Sequence, residues 1–101
     1  MARTCRFKLG QMVMTGGVSD RIAGDTDFAK FVSECMVRHA GCDWGDLDAE
    51  DRKENEWALE HGERLFSAYE PAKVGQPRLP KIWIITERDR SATTILFPEE
   101  Y

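Results

Sequence analysis

The chain has 101 residues, 42% hydrophobic and 32% charged, with a formal net charge of −4. That suits one α+β domain with a modest core, spanning residues 1–101. It holds no apolar run near the ~20 residues of a membrane span. The opening MARTCRFKLGQMVM lacks a long apolar stretch and a small-residue cleavage site, which argues against a secretory signal. The cysteines, Cys5, Cys35 and Cys42, are three in number, so a disulfide framework is not expected. They read as reduced thiols, and the protein as cytoplasmic.

In chain order, CRFKLGQMVMT alternates Phe7, Leu9, Met12 and Met14 with Gly10 as a bend, so a first strand is predicted. The GG at 16 and 17 breaks it, and VSDRIA forms a short helical turn. Phe28, Phe31, Val32, Cys35, Met36 and His39 then fall at helical spacing. Asp25, Thr26 or Asp27 is placed to cap that helix, and Gly41 to end it. A second main helix is predicted from about Asp48 to His61, with Gly62 just beyond. Its first half is almost wholly polar, with Asp48–Arg52 and Arg52–Glu56 spaced as i,i+4 pairs. RLFSAY (64–69) reads as a strand, and EPAKVGQPRLP as a loop. KIWIITE (81–87) and TTILF (93–97) read as a hairpin joined by RDRSA, with Pro98 as its stop. The order β-α-α-β-β-β predicts an antiparallel sheet of about four strands with two main helices on one face.

The negative charge is concentrated. From Asp43 to Glu63 there are nine acids against Arg52 and Lys53, while the segments on either side are slightly basic. This disfavours phosphate-backbone binding there and suits a basic protein surface. GCDWGDLDAED (41–51) fails as a calcium loop in both registers. Counted from Asp46, the turn position is Asp51 and the twelfth is Trp57; counted from Asp43, the third and fifth are Gly45 and Leu47. Its acids read as caps for the helix that follows. Cys35, His39, Cys42 and His61 could supply four zinc ligands, but they lack close Cys pairs, and Cys35 sits in an apolar stripe. No nucleophile elbow or phosphate loop is present, so neither a catalytic site, a metal site nor a cofactor is expected. The candidate partner-binding residues are therefore Asp43, Trp44, Asp46, Asp51, Glu54, Glu56, Trp57 and Glu60. Trp44 reads either as an exposed anchor or as a residue folded back on the core, and Trp57 is the better candidate for exposure. Arg88 and Arg90 are secondary candidates: they have a structural role in the hairpin turn, or reach a partner, or Arg90 crosses to the acids of 43–51.

Four stretches, FKLGQMVMT, CDWGDLDAEDRKEN, HGERLFSAY and KIWIITERDRSATTILFPEEY, cover most of the chain. They resemble a family of small proteins encoded on phages, plasmids and other mobile elements. That family includes a type II-A anti-CRISPR protein. The resemblance implies a non-enzymatic inhibitor in a bacterial host cell whose partner is a type II CRISPR effector nuclease. The charge map makes direct nucleic-acid binding unexpected, no membrane partner is expected, and a monomer or weak dimer is the expected state. Two positions depart from the family pattern: Arg88 stands where a small residue is expected, and Cys42 where Gly is expected. The rival reading is a nucleic-acid-associated accessory protein of a mobile element using Arg6, Lys8, Arg88 and Arg90.

Overall fold

A computed structural model of the chain describes residues 7–101. Four strands, β1 (Gln11–Met14), β2 (Leu65–Tyr69), β3 (Ile82–Thr86) and β4 (Ala92–Leu96), form one sheet in the order β1-β4-β3-β2. Three helices, α1 (Gly16–Gly24), α2 (Thr26–Ala40) and α3 (Ala49–His61), complete an α+β fold. Strands β2, β3 and β4 are antiparallel neighbours, as expected from the hairpin pattern. The sheet as a whole is mixed, however, because β1 runs parallel to β4 with Met12 level with Thr93 and Met14 level with Ile95. No short turn ties β1 to β4, so no hairpin dictates its direction. The strand instead leads straight into α1 through Thr15, whose hydroxyl accepts from Val18 N and donates to the Glu100 carboxylate in the short 3-10 turn (Pro98–Glu100) that follows β4.

The expected turn at VSDRIA is a nine-residue helix, and the two glycines are its first residues rather than a breaker. The Thr15 cap and the buried Val18 specify that helix in place of intrinsic propensity. The long apolar stripe is α2, capped by Asp25, whose carboxylate accepts from Phe28 N. Helix α1 packs against β4 and α2 against β3. Between them and the sheet lie Val18, Phe28, Phe31, Val32, Cys35, Tyr69, Leu79, Ile82, Ile84 and Ile95. Helix α3 lies beside β2 instead, over a smaller cluster of Cys42, Trp44, Ala58 and Leu65. Of the three cysteines, Cys35 is a buried free thiol, as expected, but Cys42 is disulfide-bonded; Cys5 lies outside the described residues.

The core carries one polar line. His39 is fully buried, with Nδ1 2.6 Å from Ser67 Oγ and Nε2 2.9 Å from Thr86 Oγ1. Thr86 Oγ1 is 2.8 Å from Thr93 Oγ1, which donates to the Leu9 carbonyl at 2.6 Å. A carbonyl only accepts, and this settles the direction of each bond from Leu9 back to Nε2. The Thr93 proton goes to Leu9, the Thr86 proton to Thr93, and the Nε2 proton to Thr86; in the neutral ring Nδ1 then accepts from Ser67. The line crosses β2, β3 and β4 and leaves no polar atom of His39 unmet. Burial favours the neutral ring and pushes the His39 pKa down to about 4.

Stability should therefore depend on pH in one window. A histidine whose folded pKa lies below its unfolded value takes up protons more readily when unfolded, so its contribution is complete above about pH 6.5 and is lost as pH falls toward about 4, some 3 kcal/mol in all. Urea unfolding at half-unit steps should show this slope, and His39→Gln should flatten it while lowering stability at pH 7. An unchanged slope in the variant contradicts the assignment.

Candidate partner-binding site

The acidic segment begins as a strap. Gly41 ends α2, and Cys42 turns the chain with φ of 62°, a left-handed value that residues other than glycine seldom adopt. Asp43 is then held on every side. Its N–H donates to Arg38 O at 2.8 Å, its carboxylate takes Arg38 Nε at 2.8 Å and Gly45 N at 3.1 Å, and its carbonyl accepts from Tyr69 Oη at 2.7 Å. The Arg38 guanidinium holds the Asp43 carboxyl below the usual carboxylate range and also lies 4.9 Å over the Tyr69 ring.

The next three residues meet the edge of β2 through a single parallel bridge, Gly45 to Ala68. Ala68 N donates to Trp44 O, Asp46 N donates to Ala68 O at 2.7 Å, and the Asp46 carboxylate accepts from Glu70 N at 2.8 Å. Gly45 has φ of +77°, and a Cβ there would stand 2.1 Å from Ala68 O. Trp44 folds inward, edge-on to His39, and its Nε1–H donates to Glu56 at 2.7 Å. Arg52 reaches back from α3 to the carbonyls of Leu47 and Gly45. Asp48 caps α3 by accepting from Asp51 N at 2.8 Å, and Gly62 closes it in the left-handed conformation. Asn55, buried, donates to Phe66 O and accepts from Phe66 N at 3.1 Å.

The nine acids therefore divide. Asp43 pairs with Arg38, Asp46 holds backbone, Asp48 is a cap, Glu56 holds Trp44, and Glu63 stands 3.9 Å from Arg88. Glu50, Asp51, Glu54 and Glu60 face solvent on α3. Of the eight candidate residues, the fold thus turns Trp44 inward and gives Asp43, Asp46 and Glu56 work inside the strap. It leaves Asp51, Glu54, Trp57 and Glu60 outside. Trp57 is 55% exposed, and its ring is stacked on His61 at 4.3 Å.

Beside this face, between α3 and β2, lies a groove of about 580 Å³. Asp51, Glu54 and Glu63 supply its acids, Trp57 and Phe66 its aromatic surface, and Arg64 its cation. Its contributors from β2 and the helix end, Glu63, Arg64 and Phe66, were not among the residues singled out by sequence. The interleaving of acids with Trp57 on one helix is local and readable; the meeting of that helix with Phe66 is not.

The secondary candidates also separate. Arg90 sits in the hairpin turn at φ of 58°, donating to the carbonyls of Glu63 at 2.7 Å and Glu87 at 3.1 Å, so it braces the turn and does not cross to the acids of 43–51. The Arg88 side chain is 75% exposed. Lys8 is exposed, and Arg6 lies outside the described residues. The four residues weighed for zinc do not converge. Cys35 is in the main core, His39 in the hydroxyl line, Cys42 in a disulfide and His61 on the surface against Trp57. Ser67 does meet His39, but both are fully buried, so no substrate reaches the pair. Among the described residues no helix is long and apolar enough to cross a membrane. No family model, no curated protein and no solved structure matches the chain.

The strap's tightest point gives a test. Gly45→Ala combines a left-handed backbone with a clash against Ala68 O and the Tyr69 ring, and should cost at least about 2 kcal/mol. Gly62→Ala has open space around its Cβ and should cost only about 1 kcal/mol. Paired denaturation curves check the ranking; equal losses contradict the strap's packing.

Proposed function

We propose that this protein is a non-enzymatic inhibitor that binds a type II CRISPR effector nuclease, with the outer face of α3 and its groove as the contact surface. The observation that carries the reading is the exposed Trp57 set among Asp51, Glu54 and Glu60 beside an open groove. An exposed indole flanked by carboxylates suits an arginine or lysine of a partner. The cation stacks on the ring while its N–H groups donate to Asp51 or Glu54. Single exposed ion pairs are weak in water, but they strengthen when a partner excludes solvent around them. Guide-RNA effectors hold nucleic acid in a positively charged channel and read a short duplex motif with arginines, so an acidic, aromatic face can compete for that surface. The sequence resemblance selects this target among other basic surfaces.

The test is a cleavage assay with purified effector–guide complex and target duplex. Asp51→Lys with Glu54→Lys should weaken inhibition by roughly 30-fold or more, since reversing charges at a desolvated contact costs 2 kcal/mol or more. Trp57→Ala should weaken it roughly 10-fold. Glu87→Lys, in the hairpin turn, should leave it unchanged. Full inhibition by a folded Asp51→Lys/Glu54→Lys variant discards the acidic-face mechanism. A salt-sensitive gel shift with plain DNA or guide RNA favours the accessory-protein reading instead.

A further inference from the structure

The two edges of the sheet are treated differently. Along β2, the outward N–H and C=O of Phe66 are taken by Asn55, those of Ala68 by Trp44 and Asp46, and the Glu70 N–H by the Asp46 carboxylate. Along β1, Gln11 N donates to Ser91 O at 2.9 Å and Thr15 N to Ile95 O at 3.1 Å, so the odd-numbered residues face β4. A strand alternates, and the N–H and C=O of Met12 and Met14 therefore point away from the sheet, where no described residue pairs with them. The side chains of this edge are open too: Met12 is 42%, Val13 37% and Met14 46% exposed. No Lys, Pro or acid interrupts residues 10–16, although edges left open are normally guarded in that way.

The segment is also symmetric in type. Gly10-Gln11-Met12-Val13-Met14-Thr15-Gly16 reads the same way from either end, apart from the exchange of Gln11 for Thr15. We infer that β1 is a self-association edge: two copies of this chain pair β1 antiparallel about a two-fold axis through Val13, joining their sheets into one of eight strands. The register follows from the backbone. Met12 and the partner copy's Met14 exchange N–H···O bonds in both directions, and the symmetry repeats this, giving about four bonds across the axis. Val13 meets its own copy at the closer, non-hydrogen-bonded position. The two thioether side chains, flexible and polarisable, cover one another on the helix-bearing side.

Charge supports the antiparallel sense and opposes the parallel one. Lys8 stands at the entry to β1, while Glu99 and Glu100 stand at its exit, where Glu100 is bound by Thr15. Antiparallel pairing sets the entry of each copy beside the exit of the other, so unlike charges meet at both ends. A parallel pairing would set Glu100 beside Glu100.

Sedimentation velocity on the full chain, from about 5 to about 500 µM, reads the association by mass action. The expected result is a concentration-dependent shift to a dimer. Val13→Lys sets two cations on the axis and should remain a monomer with an unchanged circular dichroism spectrum. Amide exchange on the unmodified protein supplies a readout that does not depend on that variant folding: protection at Met12 and Met14 should rise with concentration, while that of Phe66 and Ala68 stays constant. A monomer at every concentration, a dimeric Val13→Lys, or a dimer in which Met12 and Met14 exchange freely would each overturn the inference.

Discussion

The placement of α3 rests on how Asp43 is held. Its carboxylate, N–H and carbonyl bind Arg38, Gly45 and Tyr69, so one residue joins the end of α2 to the edge of β2. Once Asp43 is fixed, Trp44 and Asp46 fall into register beside Ala68, and Asp48 arrives where it caps α3. Helix α3 could not be held by its own apolar side chains, because Ala58 and Leu59 are nearly all it offers. Polar contacts replace them: Glu56 with Trp44, Arg52 with two carbonyls, Asn55 with Phe66. Each is buried or half-buried on at least one side, where hydrogen bonds to charged groups are worth more than in water.

This division of labour explains a segment that is both strongly acidic and well ordered. Acids that face the strap are matched by donors and keep the segment in place. Acids that face away serve no contact within the described fold and set the potential of the surface around Trp57. The His39 line does for the interior what the strap does for the edge. It ties three strands to the C-terminal end of α2 through hydroxyls, and burial keeps its ring uncharged at neutral pH.

Much of this was legible where the signal is local. The stripe from Phe28 to His39, the Asp25 and Asp48 caps and the closing Gly62 lie within a few residues of what they control, and α2 and α3 follow the sequence reading closely. Strands β2, β3 and β4 were readable from their apolar and β-branched runs. Helix α1 was not, because Gly16 and Gly17 read as a breaker, while the cap and packing that override them involve Thr15, Val18 and the distant Glu100. The parallel sense of β1 joins Gln11 to Ala92, too far apart for any local pattern. The same distance hid the fate of the acids. Nothing near Glu56 says that it meets Trp44, or near Asp46 that it holds Glu70, whereas Asp51, Glu54 and Trp57 share one helix, so their closeness is local.

The central proposal is that the solvent side of α3, oriented by the strap, grips a basic protein surface. Hydrogen exchange on the chain with and without a purified type II effector–guide complex addresses it most directly. The proposal expects new protection over residues 50–66, across α3, the groove and the start of β2, with the hairpin turn at 87–91 unchanged. Protection confined to that turn, or none at saturating effector, contradicts it.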